Sequence, residues 1–341
     1  MLFSGRTFLY LSSQKDISRY CSPGTGKTVT IIEAIRQILR KNPQARIFAC
    51  APSISATDVI ADRLTVLGKS QLFRMNAPSR MQSTLPKTLE NFSRKNDHGT
   101  FCIPPMEELM KFSVIVSTCV SASIPYGIGV PRGHFTHIFV DEAGQATEPE
   151  CMIPIKTMSD NRTNFILSGD PKQLGPIVRS DLALSLKLSV SYLDRLCEMN
   201  IYDESQMSGI TYVYGFPHFG PPLTFRSVVK LVKNFRSHNA IISHPNKKFY
   251  KNELQSCADR SITSSCLRWN GLSTRGVPII FHAMQGKDER EAGSPSFFNI
   301  QEATEAKAYI QALKQEKSLR LSKQPHLEPL YSMNDWNPRR G

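Results

Sequence analysis

Apolar residues along this chain collect into short, β-branched runs separated by stretches of helical period, from Pro23 to about Phe298. Such alternation predicts α/β layering, with parallel strands joined by crossover helices. Residues 46–51, 113–117, 137–140, 164–167 and 278–282 are the expected strands: each is apolar and each ends in a polar or turn-forming signal. Residues 28–39 set Ile31, Ile35 and Ile38 on one face, and residues 55–67 open on Ser55, a residue type that caps helices. Both stretches are expected to be crossover helices.

Other segments lack such a period. Residues 69–112 mix Pro, Ser, Asn and basic residues irregularly and read as an insertion outside the core sheet. Residues 203–222 hold Gly209, Gly215, Pro217, Gly220, Pro221 and Pro222, which places a domain linker at 186–222. The expected order is an atypical segment 1–20, a nucleotide-binding domain 21–185, the linker, a partial second domain 223–315, and a tail 316–341. That tail is rich in Lys, Ser, Pro and Arg without a period, and is expected to be disordered. Residues 14–20 are mostly polar, so the buried strand that normally precedes a phosphate loop is not apparent there.

Charge narrows the partners. Forty-two Lys plus Arg against 29 Asp plus Glu give a formal charge of +13 over 341 residues, which favours a polyanion such as RNA, DNA or an acidic membrane surface. No apolar run approaches the roughly 18 residues that span a bilayer, so no membrane partner is expected. The eight cysteines show neither a C-x-x-C pair nor a histidine at zinc spacing, and reduced thiols in an intracellular compartment are expected.

Four segments carry chemistry. Cys21-Ser22-Pro23-Gly24-Thr25-Gly26-Lys27-Thr28 follows the pattern G-x-x-x-x-G-K-[ST] apart from Cys21. Its glycines let backbone N–H groups approach phosphates, Lys27 would neutralise the β- and γ-phosphates, and the Thr28 hydroxyl would face Mg²⁺. The apolar run 137–140 ends in Asp141-Glu142. At the end of a strand, Asp141 would hold Mg²⁺ and Glu142 would orient or deprotonate the attacking water. Residues 168–176, SGDPKQLGP, form a turn that could present Gln173 to the γ-phosphate. Lys233-Asn234-Phe235-Arg236 offers Arg236 as a candidate arginine finger.

In this order the segments resemble motifs I, II, III and IV of superfamily 1 helicases of the up-frameshift branch. Ala49-Cys50-Ala51-Pro52-Ser53, Asp141-Glu142-Ala143-Gly144-Gln145, residues 169–176 and Gly286-Lys287-Asp288-Glu289-Arg290-Glu291 resemble the Armitage and Moloney-leukaemia-virus-10-like RNA helicases. The resemblance covers roughly Pro23 to Ala312. It implies a RecA-like P-loop ATPase fold, with a parallel sheet flanked by helices and an incomplete second RecA-like domain. It also implies ATP and Mg²⁺ as cofactors, 5′-to-3′ RNA unwinding, and a role with RNA-silencing or Piwi-pathway proteins. By the same resemblance Pro52, Ser53 and Thr118 touch the backbone of single-stranded RNA, and Phe235 stacks on adenine. Residues 23–28 bind the nucleotide. The default location is the cytoplasm, including RNA granules.

The sequence departs from this family at four places. Cys21 replaces the first loop glycine, Ser22 a proline, and Ile54 an asparagine, and nothing after Ala312 resembles motifs V and VI. The expectation is a first domain with weak nucleotide affinity and little unwinding. The alternative is a non-catalytic RNA-binding or scaffold protein. A small-molecule kinase or GTPase would share the phosphate loop but not the segments from Asp141 to Arg236.

Overall fold

Strands that are apolar on both faces belong in a parallel sheet covered on both sides. The computed structural model, which describes residues 17–21, 24–199, 227–290 and 297–315, builds that sheet. Its strands are β1 (Ile17–Cys21), β2 (Ile47–Ala51), β3 (Leu72–Arg74), β4 (Val114–Thr118), β5 (His137–Val140), β6 (Asn164–Gly169) and β7 (Ser227–Leu231). They lie in the order β3-β4-β2-β5-β6-β1-β7, and every pairing is parallel. This is the expected α/β, RecA-like architecture.

Two apolar layers hold it together. On one face α1 (Lys27–Lys41) and α2 (Ile54–Leu64) bring Ile31, Ile35, Ile60 and Leu64 onto Ala49, Val116, Phe139 and Ile166. Ile31 and Ile35 are wholly buried, and each contributes roughly 1.5–3 kcal/mol on transfer from water. On the other face Phe48, Ile115, Ile138 and Leu167 pack with Phe135, Cys151, Met158 and Leu193. Phe48 and Phe135 meet edge to face, with ring centroids 5.0 Å apart. The helix Glu148–Met158 that covers this side begins with a capping box of Thr147 and Glu150.

Several expectations change. A strand does precede the phosphate loop: β1 is a polar sequence held by backbone ladders to β6 on one side and β7 on the other. Residues 69–112 are not outside the core, because β3 is the edge strand next to β4, and Leu72, Phe73, Met75, Leu85, Leu89, Phe101 and Leu109 are buried. The cap of α2 is Ser53, not Ser55: the Ser53 side chain accepts from Ala56 N at 3.1 Å, and the helix ends at Leu64 in a short 3₁₀ turn. Residues 278–282 form no strand; Ile279 and Phe281 are exposed, and no sheet partner lies beside them among the described residues.

Two compact units divide between Val232 and Lys233, and β7 belongs to the first. The second unit, by itself, has a parallel pair of short strands, Lys233–Asn234 and Gln255–Ser256, and an antiparallel pair, Glu289–Arg290 and Phe297–Phe298. Its helices include Asn239–Phe249 and Ile300–Gln315, and its buried apolar side chains include Ile242, Tyr250, Leu254 and Trp269. Residues 1–16, 200–226 and 316–341, which contain most of the expected atypical ends and linker, lie outside the described residues.

Candidate functional site

In an open parallel sheet the ligand site lies beyond the carboxyl ends of the strands. β5, β6 and β1 are adjacent, so the segments that leave them share one edge. After β1 come Gly24 and Gly26, both left-handed, with φ of 69° and 85°. An added Cβ at Gly26 would meet nothing within 4 Å, so glycine is required there by conformation, and the space over the start of α1 is open. Lys27, the first residue of α1, is nearly buried, and Thr25 is buried. Thr30 ties the turn by donating from its amide and its hydroxyl to Gly26 O, both at 2.9 Å. Pro23 lies outside the described residues.

Asp141 follows β5 and is only 2% exposed. The Thr28 hydroxyl donates to its Oδ2 at 3.0 Å, and the Glu142 amide donates to its Oδ1 at 3.0 Å. Burial pushes this carboxyl above the ordinary aspartate value, against the pull of the Ser168 and Thr28 hydroxyls, the Glu142 amide and the Lys27 charge. Glu142 has φ of 52°, a left-handed conformation that costs a non-glycine residue roughly 1–3 kcal/mol and that clusters at functional sites. A buried carboxylate and a hydroxyl are hard oxygen donors of the kind that hold Mg²⁺. With the open glycine turn beside them, the residues present fit a magnesium–triphosphate group.

β6 delivers the third segment. Asp170, buried at its end, accepts from Lys172 N at 3.0 Å and from Gln173 Nε2 at 2.8 Å, so the Gln173 amide is anchored. The loops after β5 and β6 touch backbone to backbone. An added Cβ at Gly169 would lie 2.8 Å from Gly144 N, and one at Gly144 would lie 3.1 Å from Asp170 O. Gly169 therefore needs to lack a side chain, while a side chain at Gly144 would press on the Asp170 backbone.

Further along the same edge, β2 and β4 are paired with Ala51 beside Thr118, and Cys119 N donates to Ala51 O at 3.0 Å. Pro52, Ser53 and Thr118 thus leave neighbouring strands. Thr118 donates to Ser121 Oγ at 3.0 Å, which shapes the turn after β4.

Beneath them lies a buried ionic cluster that the sequence reading missed. Arg74, 1% exposed, binds Asp58 Oδ1 through Nε at 3.0 Å and Nη2 at 2.8 Å. Arg80 grips the same carboxylate through Nη1 at 2.9 Å and Nη2 at 2.6 Å. Arg74 Nη2 also donates to Thr57 Oγ1 at 2.7 Å, and Nη1 to Met75 O at 2.7 Å and, more distantly, to Val116 O at 3.5 Å. The signal that could have found it is a lone arginine between apolar residues, Phe73-Arg74-Met75.

Phe235 and Arg236 belong to the second unit. Both are exposed, and Asn234 Oδ1 accepts from Arg236 N at 3.0 Å and Ser237 N at 2.8 Å, which fixes the turn that carries them. The first unit therefore assembles Lys27, Thr28, Asp141, Glu142 and Gln173 along one sheet edge, with Pro52, Ser53 and Thr118 further along it.

The chain is similar in sequence to known proteins. Two families described as AAA domains match the chain, one over residues 11–100 and 104–181, the other over residues 222–324. RNA helicase Mov10l1 of Homo sapiens is 42% identical over 290 residues, covering 84% of this chain and 23% of that protein. The mouse protein of the same name is 41% identical over 305 residues, covering 88% and 24%. Probable RNA helicase armi of Drosophila melanogaster is 32% identical over 313 residues, covering 83% and 26%. The chain spans about a quarter of the length of these relatives.

Proposed function

Since the chain belongs to the up-frameshift-like Mov10 family of superfamily 1 helicases, an ATP-hydrolysing family, we propose that its first unit binds ATP with Mg²⁺ and hydrolyses it in response to single-stranded RNA. The observation that carries this reading is the 3.0 Å hydrogen bond between Thr28 and Asp141, which joins the phosphate loop to the acidic strand end at a buried carboxylate. Thr28 and Asp141 would hold Mg²⁺, whose charge offsets that of the phosphate oxygens. Backbone amides of residues 24–28 cradle the phosphates with the start of α1 behind them, and Pro23 joins the nucleotide-binding set by sequence alone. Lys27 neutralises the β- and γ-phosphates. Glu142 orients the attacking water and accepts its proton, and Gln173, steadied by Asp170, contacts the γ-phosphate. Arg236 and Phe235, both in the second unit, are by sequence the candidates for an arginine finger and for stacking on adenine.

On this reading Pro52, Ser53 and Thr118 hold the RNA backbone, since hydroxyls and helix starts are common phosphate partners. The work done is 5′-to-3′ unwinding or remodelling of RNA–protein particles. Its setting is RNA silencing or the Piwi pathway, in the cytoplasm and its RNA granules. Among the described residues no helix is long and apolar enough to cross a membrane.

The test is Mg²⁺-dependent ATP hydrolysis by the purified chain, with and without single-stranded RNA, beside Lys27→Ala and Glu142→Gln. RNA-stimulated turnover lost in both variants is expected. RNA binding without any turnover in the folded chain would replace this reading with a non-catalytic RNA-binding protein.

A further inference from the structure

The buried cluster of Asp58, Arg74 and Arg80 lies outside the nucleotide machinery, and stability alone is a poor reason for it. Buried ion pairs can often be replaced by apolar side chains at no loss of stability. Its hydrogen bonds, however, run between two particular places. The Thr57 hydroxyl donates to Ile54 O at 2.7 Å, in the first turn of α2 directly after Ser53, and accepts from Arg74 Nη2 at 2.7 Å. The other arm of Arg74 reaches Met75 O, and Met75 N donates to Val116 O at 2.9 Å, two residues before Thr118. Asp58 Oδ1 accepts from both Arg74 and Arg80, and its Oδ2 accepts from Arg80, so the carboxylate anchors the Arg74 guanidinium. Arg80 is itself fixed by Asn76 Oδ1 at 2.7 Å and Thr84 O at 2.8 Å. A continuous set of bonds thus links the start of α2 to the end of β4.

We propose that Arg74, oriented by Asp58 and bonded to Thr57, is a positioning residue that fixes the spacing between the Ser53 and Thr118 segments so that both grip one single-stranded RNA backbone. The inference rests on the RNA-contact reading above and adds the device that sets its geometry. Arg74 touches no RNA; it acts through the backbone at Ile54 and through β4. Segment 69–112 is then the part of the fold that tunes the RNA groove.

The experiment measures the affinity of the full chain for a fluorescein-labelled single-stranded RNA by anisotropy, together with the KM for ATP. Thr57→Val removes the bridging hydroxyl while keeping the side-chain shape, and it is expected to weaken RNA binding roughly 2- to 30-fold, the range of long-range coupling effects, with the ATP KM unchanged. Thr57→Ser restores the hydroxyl and is expected to restore the affinity. Arg74→Lys keeps the charge, loses the fork, and is expected to behave like Thr57→Val. Thr118→Val checks the underlying contact. If Thr118→Val weakens RNA binding while Thr57→Val does not, the inference is overturned and the contact reading stands. If Thr57→Val shifts RNA affinity and ATP KM together, the cluster is merely structural and the inference is likewise overturned. If Thr118→Val changes nothing, the contact reading falls and takes the inference with it.

Discussion

Asp141 combines two demands that conflict in the absence of a ligand. In the proposed role it must be ionised to hold Mg²⁺, yet burial raises its carboxyl above the ordinary aspartate value. Protons therefore bind the folded chain more tightly than the unfolded one, and stability falls as pH rises through the interval between the unfolded and folded values, staying lower above it. Asp141→Asn should accordingly raise the melting midpoint of the ligand-free chain at neutral pH, and Mg²⁺ with ATP should stabilise the original chain but not the variant. Scanning calorimetry checks both, and a lower midpoint for the variant would contradict the account. Lys27→Ala should leave the fold intact and reduce ATP turnover by roughly 10²- to 10³-fold, the scale on which one fixed electrostatic contact to a transition state matters. Steady-state kinetics reads that loss. At this scale much of the proposed site was legible, because Gly26, Lys27, Thr28, Asp141 and Glu142 announce themselves by residue type and spacing. Arg74 was harder to read: its place between Phe73 and Met75 hints at burial, but only its partners Asp58 and Thr57 show what it does.

Among the elements, the loops after β5 and β6 pack closely, with the acidic segment against the segment that leads to Gln173. Gly169→Ala would place a methyl group 2.8 Å from Gly144 N and 2.7 Å from Leu193 Cδ2, and only the leucine can yield. A loss of about 1–3 kcal/mol is expected from such overpacking, measured by urea unfolding; an unchanged midpoint would mean that the two loops are free to separate. The strands β2, β4, β5 and β6 could be read from their apolar runs because both of their faces are buried. β1 could not, since Ile17-Ser18-Arg19-Tyr20-Cys21 is held by backbone hydrogen bonds to β6 and β7 that leave no mark on composition. β3 was lost for the opposite reason: three apolar-flanked residues are too few to show a period. Residues 278–282 misled because an apolar run predicts a strand only where a neighbouring ladder exists to receive it.

Over the whole molecule, the formal charge of +13 sets the long-range attraction to a polyanion, whereas Ser53 and Thr118 are uncharged. RNA affinity should fall log-linearly with salt, with a slope of about −0.7 per phosphate neutralised on a single strand. Thr118→Val should lower the affinity without altering that slope, and anisotropy titrations across a KCl series separate the two effects. The division between Val232 and Lys233 was not legible, because β7 is completed by a pairing with a strand near the other end of the sequence. That pairing has a consequence during synthesis. Of the strands described, β1 is made before the others but has no hydrogen-bonding neighbour until β6 appears, and its second edge stays bare until Ser227–Leu231 follows. At about 5–20 residues per second, the wait is on the order of tens of seconds. Throughout it the nascent chain carries a strand with an unpaired edge, the kind of row of backbone groups that templates pairing with another chain.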